Sequence, residues 1–381
     1  MTEIIEGQLV LPDATRLGQL RIKDGQIASI EFERTGFVRP DITVPADRFI
    51  SPGFIDLQVN GAFGKEFKSD TDAMNVVTGG LPRFGTTSIC PTVTTRELSS
   101  YPEHLSRLLA NYLPGRGTKF LGFHLEGPFL NPKKIGAQNP DILRTPSQCQ
   151  YSEYVTEAVR IVTLSPELEG APDFIRSLLA DGRRVGVGHS TVSFDELTAV
   201  FDPERMMIVH IFNAMDGVRA RDPSLATAGL VRSEYFVSLI ADGIHVDPAV
   251  VRLVWKCKED KRKLICITDG SAVSGLPEGV HLIGTRRIQK LPDRAVLEGT
   301  TTLVGSILTQ NIAAKNLREF TQCTISEAVN TVSLNPAAFL GLEGRIGQIK
   351  IGAAADLTVF DKNFEVYNTI INGRLIWSRG D

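Results

Sequence analysis

Neither sign of charge dominates this chain: 41 lysines and arginines stand against 44 aspartates and glutamates, for a formal net charge of −3 and a pI near 6.1. There is no basic excess to draw it onto nucleic acid or a membrane surface. Cysteine is sparse, and Cys90, Cys149, Cys257, Cys266 and Cys323 form no CxxC pair. An odd number at irregular spacing argues against a disulfide framework and against a thiolate metal cluster, and it fits a reducing cytoplasm. No apolar stretch approaches the roughly 20 residues that a spanning helix needs. The start, MTEIIEGQLVLPD, lacks the basic region and unbroken apolar run of a signal peptide. These absences predict a cytoplasmic protein with no membrane or nucleic-acid partner. Also missing, after the run FISPGFIDLQVNGAFG, is the GxGxxG phosphate turn that an open doubly wound sheet would want.

What is present is enough apolar residue, 42% of 381, to bury a large core. The length exceeds a typical barrel of about 250 residues, which predicts a barrel with a smaller module attached. At the N-terminus IIEGQLVL, QLRIKDGQIASIEF and DITVPADRFI alternate apolar and polar positions, with Asp24-Gly25 as a hairpin turn. GQIKIGAAADLTVFD and EVYNTIINGRLIWS do the same at the other end, turning at Asn372-Gly373. Both termini are therefore expected to build one small β-sandwich domain, residues 1–50 with 345–381, rather than two unrelated β extensions.

Between them, eight short β-branched runs recur: FISPGFIDLQV, TTSICPTV, KFLGFHLEG, RIVTLSPE, RRVGVGHS, MMIVHIFNAM, YFVSLIADGIHV and KLICITDGS. Segments of helical period separate or follow them, among them TRELSSYPEHLSRLLANYL, APDFIRSLLADG, SFDELTAVF, DPAVVRLVWKCKED and ILTQNIAAKNLREF. The pattern predicts an α/β fold in which residues 51–344 form a (β/α)₈ TIM barrel, with reactive groups at the C-terminal ends of the strands.

Six histidines are present. His104 is expected on a helix surface and His281 on a peripheral strand, both without a chemical role. His124, His189, His210 and His245 fall in or just after barrel strands and are expected to converge on one rim. A carboxylate ending an apolar strand, as Glu126 does, is costly unless paired or bound to a cation. Glu126, His189 and His210 match a His₂Glu site for one divalent metal, with an open position for water. Zinc is the first expectation, and Fe²⁺ or another borderline ion also fits. Asp269 ends the eighth run, where a carboxylate can take a proton from a metal-activated water.

The phrases PGFIDLQVNG, HLEGPFLNPKK, GVGHST, VHIFNAMDG, LIADGIHVDP, ITDG, LVGSILT and GQIKIGAAADLTVFD resemble the N-acetylglucosamine-6-phosphate deacetylases of the amidohydrolase superfamily. HLEGP with LIADGIHV is the specific part; PGFID and GAAADL mark only the superfamily. The resemblance implies metal ligands at Glu126, His189 and His210 and a catalytic Asp269. It implies substrate contacts at Ala137, Gln138, Asn213, Ala214, Arg221, Asp242, Gly243, His245, Leu303, Val304 and Gly305. It further implies a homodimer in which Arg221 and His245 reach the phosphate bound in the partner's site.

Two departures from the common pattern stand out. Where many amidohydrolases end the first strand with His-x-His, this chain has Gln58 and Asn60, vestiges of a second metal site. Gln138 stands where the family usually has a histidine against the scissile acetamide. The expected reaction is deacetylation of N-acetyl-D-glucosamine 6-phosphate to the amine and acetate. The rivals are the galactosamine epimer, a non-catalytic amidohydrolase-like scaffold, and a cyclic-amide hydrolase or deaminase.

Overall fold

Eight short strands in the middle of the chain are buried on both faces and run parallel, as β-branched strands covered by helices do. They are β1 (Phe54–Val59), β2 (Thr86–Thr94), β3 (Phe123–Glu126), β4 (Val159–Leu164), β5 (Arg184–Val187), β6 (Met206–Ile208), β7 (Phe236–Leu239) and β8 (Leu264–Cys266). Each pairs with the next in chain order. The ring closes just beyond β8, where Asp269 N donates to Gln58 O at 2.9 Å and Asn60 N to Gly270 O at 2.9 Å. This is the expected (β/α)₈ barrel, and each of the eight apolar runs overlaps one of its strands. The structure, a computed structural model, describes residues 2–198 and 203–380.

Helices cover the outside through one apolar face each. In Ala171–Ala180 that face is Ala171, Phe174, Ile175, Leu178 and Leu179. The expected helix in SFDELTAVF is seen over Phe194–Thr198, and residues 199–201 of it lie outside those described. Among the described residues no helix is long and apolar enough to cross a membrane.

Both termini pair in one sheet. Its order runs 374–378, 366–371, 357–361, 48–52, 2–10, 15–23, 26–31, with 42–43 also on 2–10. The hydrogen-bonded path is continuous, and strands from both ends of the chain enclose one apolar core, as expected of a small β domain built from both termini. Asp24-Gly25 and Asn372-Gly373 make the turns, all four with positive φ, as two-residue hairpins require. Ile5, Leu9, Leu20, Ile50, Leu357 and Ile370 form a core of this sheet's own. Gly53 passes from it into β1, and a side chain there would meet Thr87 at 2.2 Å. A three-stranded antiparallel insertion (Gly279–Ile283, Arg286–Lys290, Ala295–Leu297) follows β8 and packs on its own apolar cluster. His281 lies in it, as expected of a peripheral strand, with Nε2 2.9 Å from Pro277 O.

Two histidines differ from expectation. His104 is buried, not solvated, and its Nε2 lies 2.7 Å from Phe67 O. Its helix Tyr101–Ala110 turns Tyr101, His104, Leu105 and Leu108 to one buried face. His124 does not reach the rim. It lies on the same side of β3 as Glu126, one layer deeper. Its Nδ1 is 2.8 Å from Leu57 O and its Nε2 2.7 Å from Thr163 Oγ1, tying β3 to β1 and β4. Burial pushes its pKa down, so it stays a neutral strut.

Candidate active site

Glu126, His189 and His210 meet at the C-terminal mouth of the barrel, from the end of β3 and the first residues beyond β5 and β6. Their ligand atoms lie within 4.8 Å of one another, and all three residues are buried. Glu126 Oε1 is 3.1 Å from His210 Nε2 and 3.4 Å from His189 Nε2. No other group of three or more such residues close enough to hold a metal ion occurs among those described.

The local backbone carries strain here. His189, His210 and Asp269 have φ of +48°, +34° and +48°. Non-glycine residues in such regions cost about 1–3 kcal/mol and persist where their surroundings overdetermine them. Each is pinned by its neighbours. Ser165 Oγ donates to His189 O at 2.6 Å, and His210 N donates to Ser238 Oγ at 2.8 Å. Asp269 O accepts from Ser306 N at 3.0 Å. The chain leaves each strand abruptly, which turns the side chain over the barrel mouth.

The donor set fits a divalent metal. His189 Nδ1 donates to Lys134 O at 2.9 Å, which orients the ring so that Nε2 is the nitrogen turned to Glu126 and the one that would bind a metal. Burial opposes charge on Glu126, but hydrogen bonds from His189 and His210 outweigh it and hold its carboxyl well below the usual range. Burial also opposes charge on His210, while Glu126 draws its pKa up. The pocket thus turns an ionised carboxylate and two imidazole nitrogens toward one point, where a divalent cation would compete with protons. His210 Nδ1 is buried without a hydrogen-bond partner.

Gln58 and Asn60 turn amide nitrogens toward the carboxylates. Gln58 Nε2 donates to Glu126 Oε1 at 2.7 Å and lies 3.4 Å from Asp269 Oδ1; Asn60 Nδ2 donates to Asp269 Oδ1 at 2.7 Å. They orient the two acids, and a second cation beside them would face N–H groups. Asp269 is half-buried at the cleft, and desolvation, reinforced by the Glu126 charge, raises its pKa above the ordinary aspartate value. Gln138 is held at both ends: Oε1 accepts from Thr95 N at 3.0 Å, and Nε2 donates to Glu126 Oε2 at 3.2 Å.

These groups open into a cleft of about 290 Å³, also lined by Ala137, Asn213, Ala214, His245, Leu303, Val304 and Gly305. His245 lines the cleft of its own chain, where a role in the partner's site was expected. Asp242 and Gly243 are not in the lining. Asp242 orients His245 instead, accepting from its backbone N at 2.8 Å and lying 2.6 Å from Nδ1. Gly243, with φ of +76°, makes the turn that closes this contact. Arg221 is exposed and outside the lining. Glu66, Lys68, Thr94, Gly136, Ser271 and Arg286 line the cleft and were missed. Glu66, Lys68 and Arg286 come from a loop and the inserted sheet, whose docking leaves no periodic signal.

An amidohydrolase family model matches residues 230–376. N-acetylglucosamine-6-phosphate deacetylase of Danio rerio is 32% identical, over all of this chain and 97% of that protein. The chain belongs to the N-acetylglucosamine-6-phosphate deacetylase family. Within the same range of similarity is the N-acetylgalactosamine-6-phosphate deacetylase of Escherichia coli O157:H7, 32% identical over 98% of this chain and 99% of its own length. A solved structure of a mutant deacetylase of the family from Mycobacterium smegmatis, in complex with N-acetyl-D-glucosamine-6-phosphate, superposes with a TM-score of 0.89. It is 26% identical, and the match covers 99% of this chain and 100% of that one.

Proposed function

We propose that this chain hydrolyses the acetamide of N-acetyl-D-glucosamine 6-phosphate, releasing acetate and D-glucosamine 6-phosphate. The observation that carries the reading is the Glu126–His189–His210 cluster with the half-buried Asp269 beside it, in a cleft that His245 also lines. One divalent ion per subunit, zinc first and ferrous iron as the other fit, would be held by Glu126, His189 and His210 and would supply Lewis-acid polarisation and a lowered pKa for water.

The chain's own groups do the rest. Asp269 accepts a proton from the attacking water as the C–O bond forms, then returns it to the amine nitrogen as the C–N bond breaks. Its raised pKa suits both halves of that transfer. Asn60 and Gln58 hold its carboxylate in place. Gln138 spends one Nε2 hydrogen on Glu126 and has a second for the developing oxyanion. It brings no positive charge to that task, unlike the histidine usual in the family.

His245 is assigned to the phosphate, with Asn213 and Ala214 beside it in the cleft. Burial opposes charge on His245, but the hydrogen bond with Asp242 outweighs it and raises the pKa. It therefore stays protonated to higher pH than a free histidine of about 6.5. The KM for the sugar phosphate should rise as pH passes through that elevated value, and Asp242→Asn should move the rise to lower pH. Identical KM–pH profiles for the two proteins would remove His245 from phosphate binding. Arg221 is free to reach the phosphate site of a second copy, which makes a homodimer part of this proposal. A cytoplasmic setting suits a substrate of this kind.

The second reading, N-acetylgalactosamine 6-phosphate, is favoured by the name of one full-length relative. Acetate release from the two epimers, measured side by side, decides between them. Release from neither would refute both.

A further inference from the structure

Asp56 is a buried carboxylate that the mechanism leaves unused. It lies inside β1, two residues before Gln58, and is 2% exposed. Its oxygens tie β1 to the segment just after β8. Oδ1 accepts from Gln58 N at 3.2 Å and from Thr268 N at 3.3 Å, and Oδ2 accepts from Thr268 Oγ1 at 2.5 Å. Thr268 Oγ1 in turn accepts from Gly270 N at 3.1 Å, so one hydroxyl spans the turn at Asp269. Ser306 Oγ donates to Thr268 O on the same turn.

Barrel closure does not need this acid. Asp269 N to Gln58 O and Asn60 N to Gly270 O already join the two segments. An apolar side chain of similar size would fill the interior without desolvating a charge, and such replacements are often neutral or stabilising. Burial pushes the Asp56 carboxyl up to about 7, against hydrogen bonds from Thr268 and Gln58 that pull it down. The groups it fixes are the ones that address Asp269. Asp269 holds a φ of +48°, which aspartate keeps only under constraint. Thr268 and Gly270, its neighbours in the chain, are both held by the hydroxyl that Asp56 orients. Gln58, whose N–H the same carboxylate accepts, turns its side chain to Asp269 and Glu126.

We propose that Asp56, acting through the Thr268 hydroxyl and the Gln58 backbone, is the positioning residue that holds the Asp269 carboxylate in its reacting orientation. It lies outside the lining of the cleft and works only through these neighbours. This rests on Asp269 as the proton-transfer group in the reading above.

The test uses intact, metal-saturated protein and N-acetylglucosamine 6-phosphate. Thr268→Val keeps the shape and removes the hydroxyl that joins Asp56 to Gly270. It should lower kcat by about 10–100-fold, the scale of a misplaced reacting group, with KM and metal content near the parent's. Thr268→Ser should return kcat to within about threefold of the parent, although it lacks the methyl that a packing role would need. Asp56→Asn sets amide hydrogens among N–H donors and should also act on kcat. The double variant should lose no more than the weaker single one, as residues of one network do. A kcat within about threefold of the parent in both single variants, losses that multiply, or an effect carried by KM or metal content would overturn the proposal. If the parent itself releases no acetate, the functional reading fails, and crystal structures of parent and Thr268→Val decide the positioning role separately. An Asp269 carboxylate displaced from Asn60 supports it, and one still 2.7 Å from Asn60 Nδ2 overturns it.

Discussion

Replacing Asp269 by asparagine should lower kcat by about 10²–10⁴-fold, the usual contribution of a positioned acid–base group. The substitution is informative because it changes so little else. An asparagine Oδ1 can still accept from Asn60 Nδ2, which now reaches Asp269 Oδ1 at 2.7 Å. Asparagine also tolerates the left-handed backbone that this position requires, φ +48°. Fold and metal content should therefore stay near those of the parent, while the group that takes and returns the proton is gone. Steady-state acetate release and metal analysis on the same preparation check both halves. A kcat within about threefold of the parent would remove Asp269 as the base.

Glu126→Gln should do the opposite, losing the metal and the activity together. Glu126 is the only anion in the ligand set. Its Oε1 is approached by Gln58, His210 and His189, and its Oε2 by Gln138. A neutral amide there keeps the shape but would set its own N–H groups against Gln58 and Gln138 or the imidazoles, besides removing the charge that favours a cation. Loss of an outer partner of a metal ligand typically costs about 10–100-fold in metal affinity. Loss of the carboxylate itself should exceed about 100-fold. The readout is metal stoichiometry after dialysis, with turnover followed as metal is added back. Stoichiometric metal in the variant would place the ion elsewhere.

The barrel was legible in the chain because its signal is local. Each strand is a short β-branched run buried on both faces, and Glu126, His189, His210 and Asp269 stand where such runs stop. Depth within the barrel was not legible. His124 and Glu126 share a face of one strand, yet only the second reaches the mouth, and periodicity alone does not say which layer is the last. His104 shows a signal overlooked, since the apolar positions Tyr101, Leu105 and Leu108 surround it on one helix face.

Tertiary contacts account for the rest. Glu66 and Arg286 are 220 positions apart, and their pairing depends on how an inserted sheet docks on a loop. The Asp242–His245 contact is local, a carboxylate three residues before the imidazole it orients. That spacing stands in the sequence, while the ring's place in the cleft depends on the fold around it. The termini presented strands and turns correctly, while their joining into a single bonded sheet follows from which edges meet after the barrel has closed.

The central claim is that Glu126, His189 and His210 hold a metal without which this chain does not deacetylate an amino-sugar phosphate. Acetate release from N-acetylglucosamine 6-phosphate by the purified protein, before chelation, after chelation and after zinc or ferrous ion is returned, tests it most directly. The account predicts release that chelation abolishes and one equivalent of metal per subunit restores. Release that continues undiminished in fully metal-free protein would contradict it.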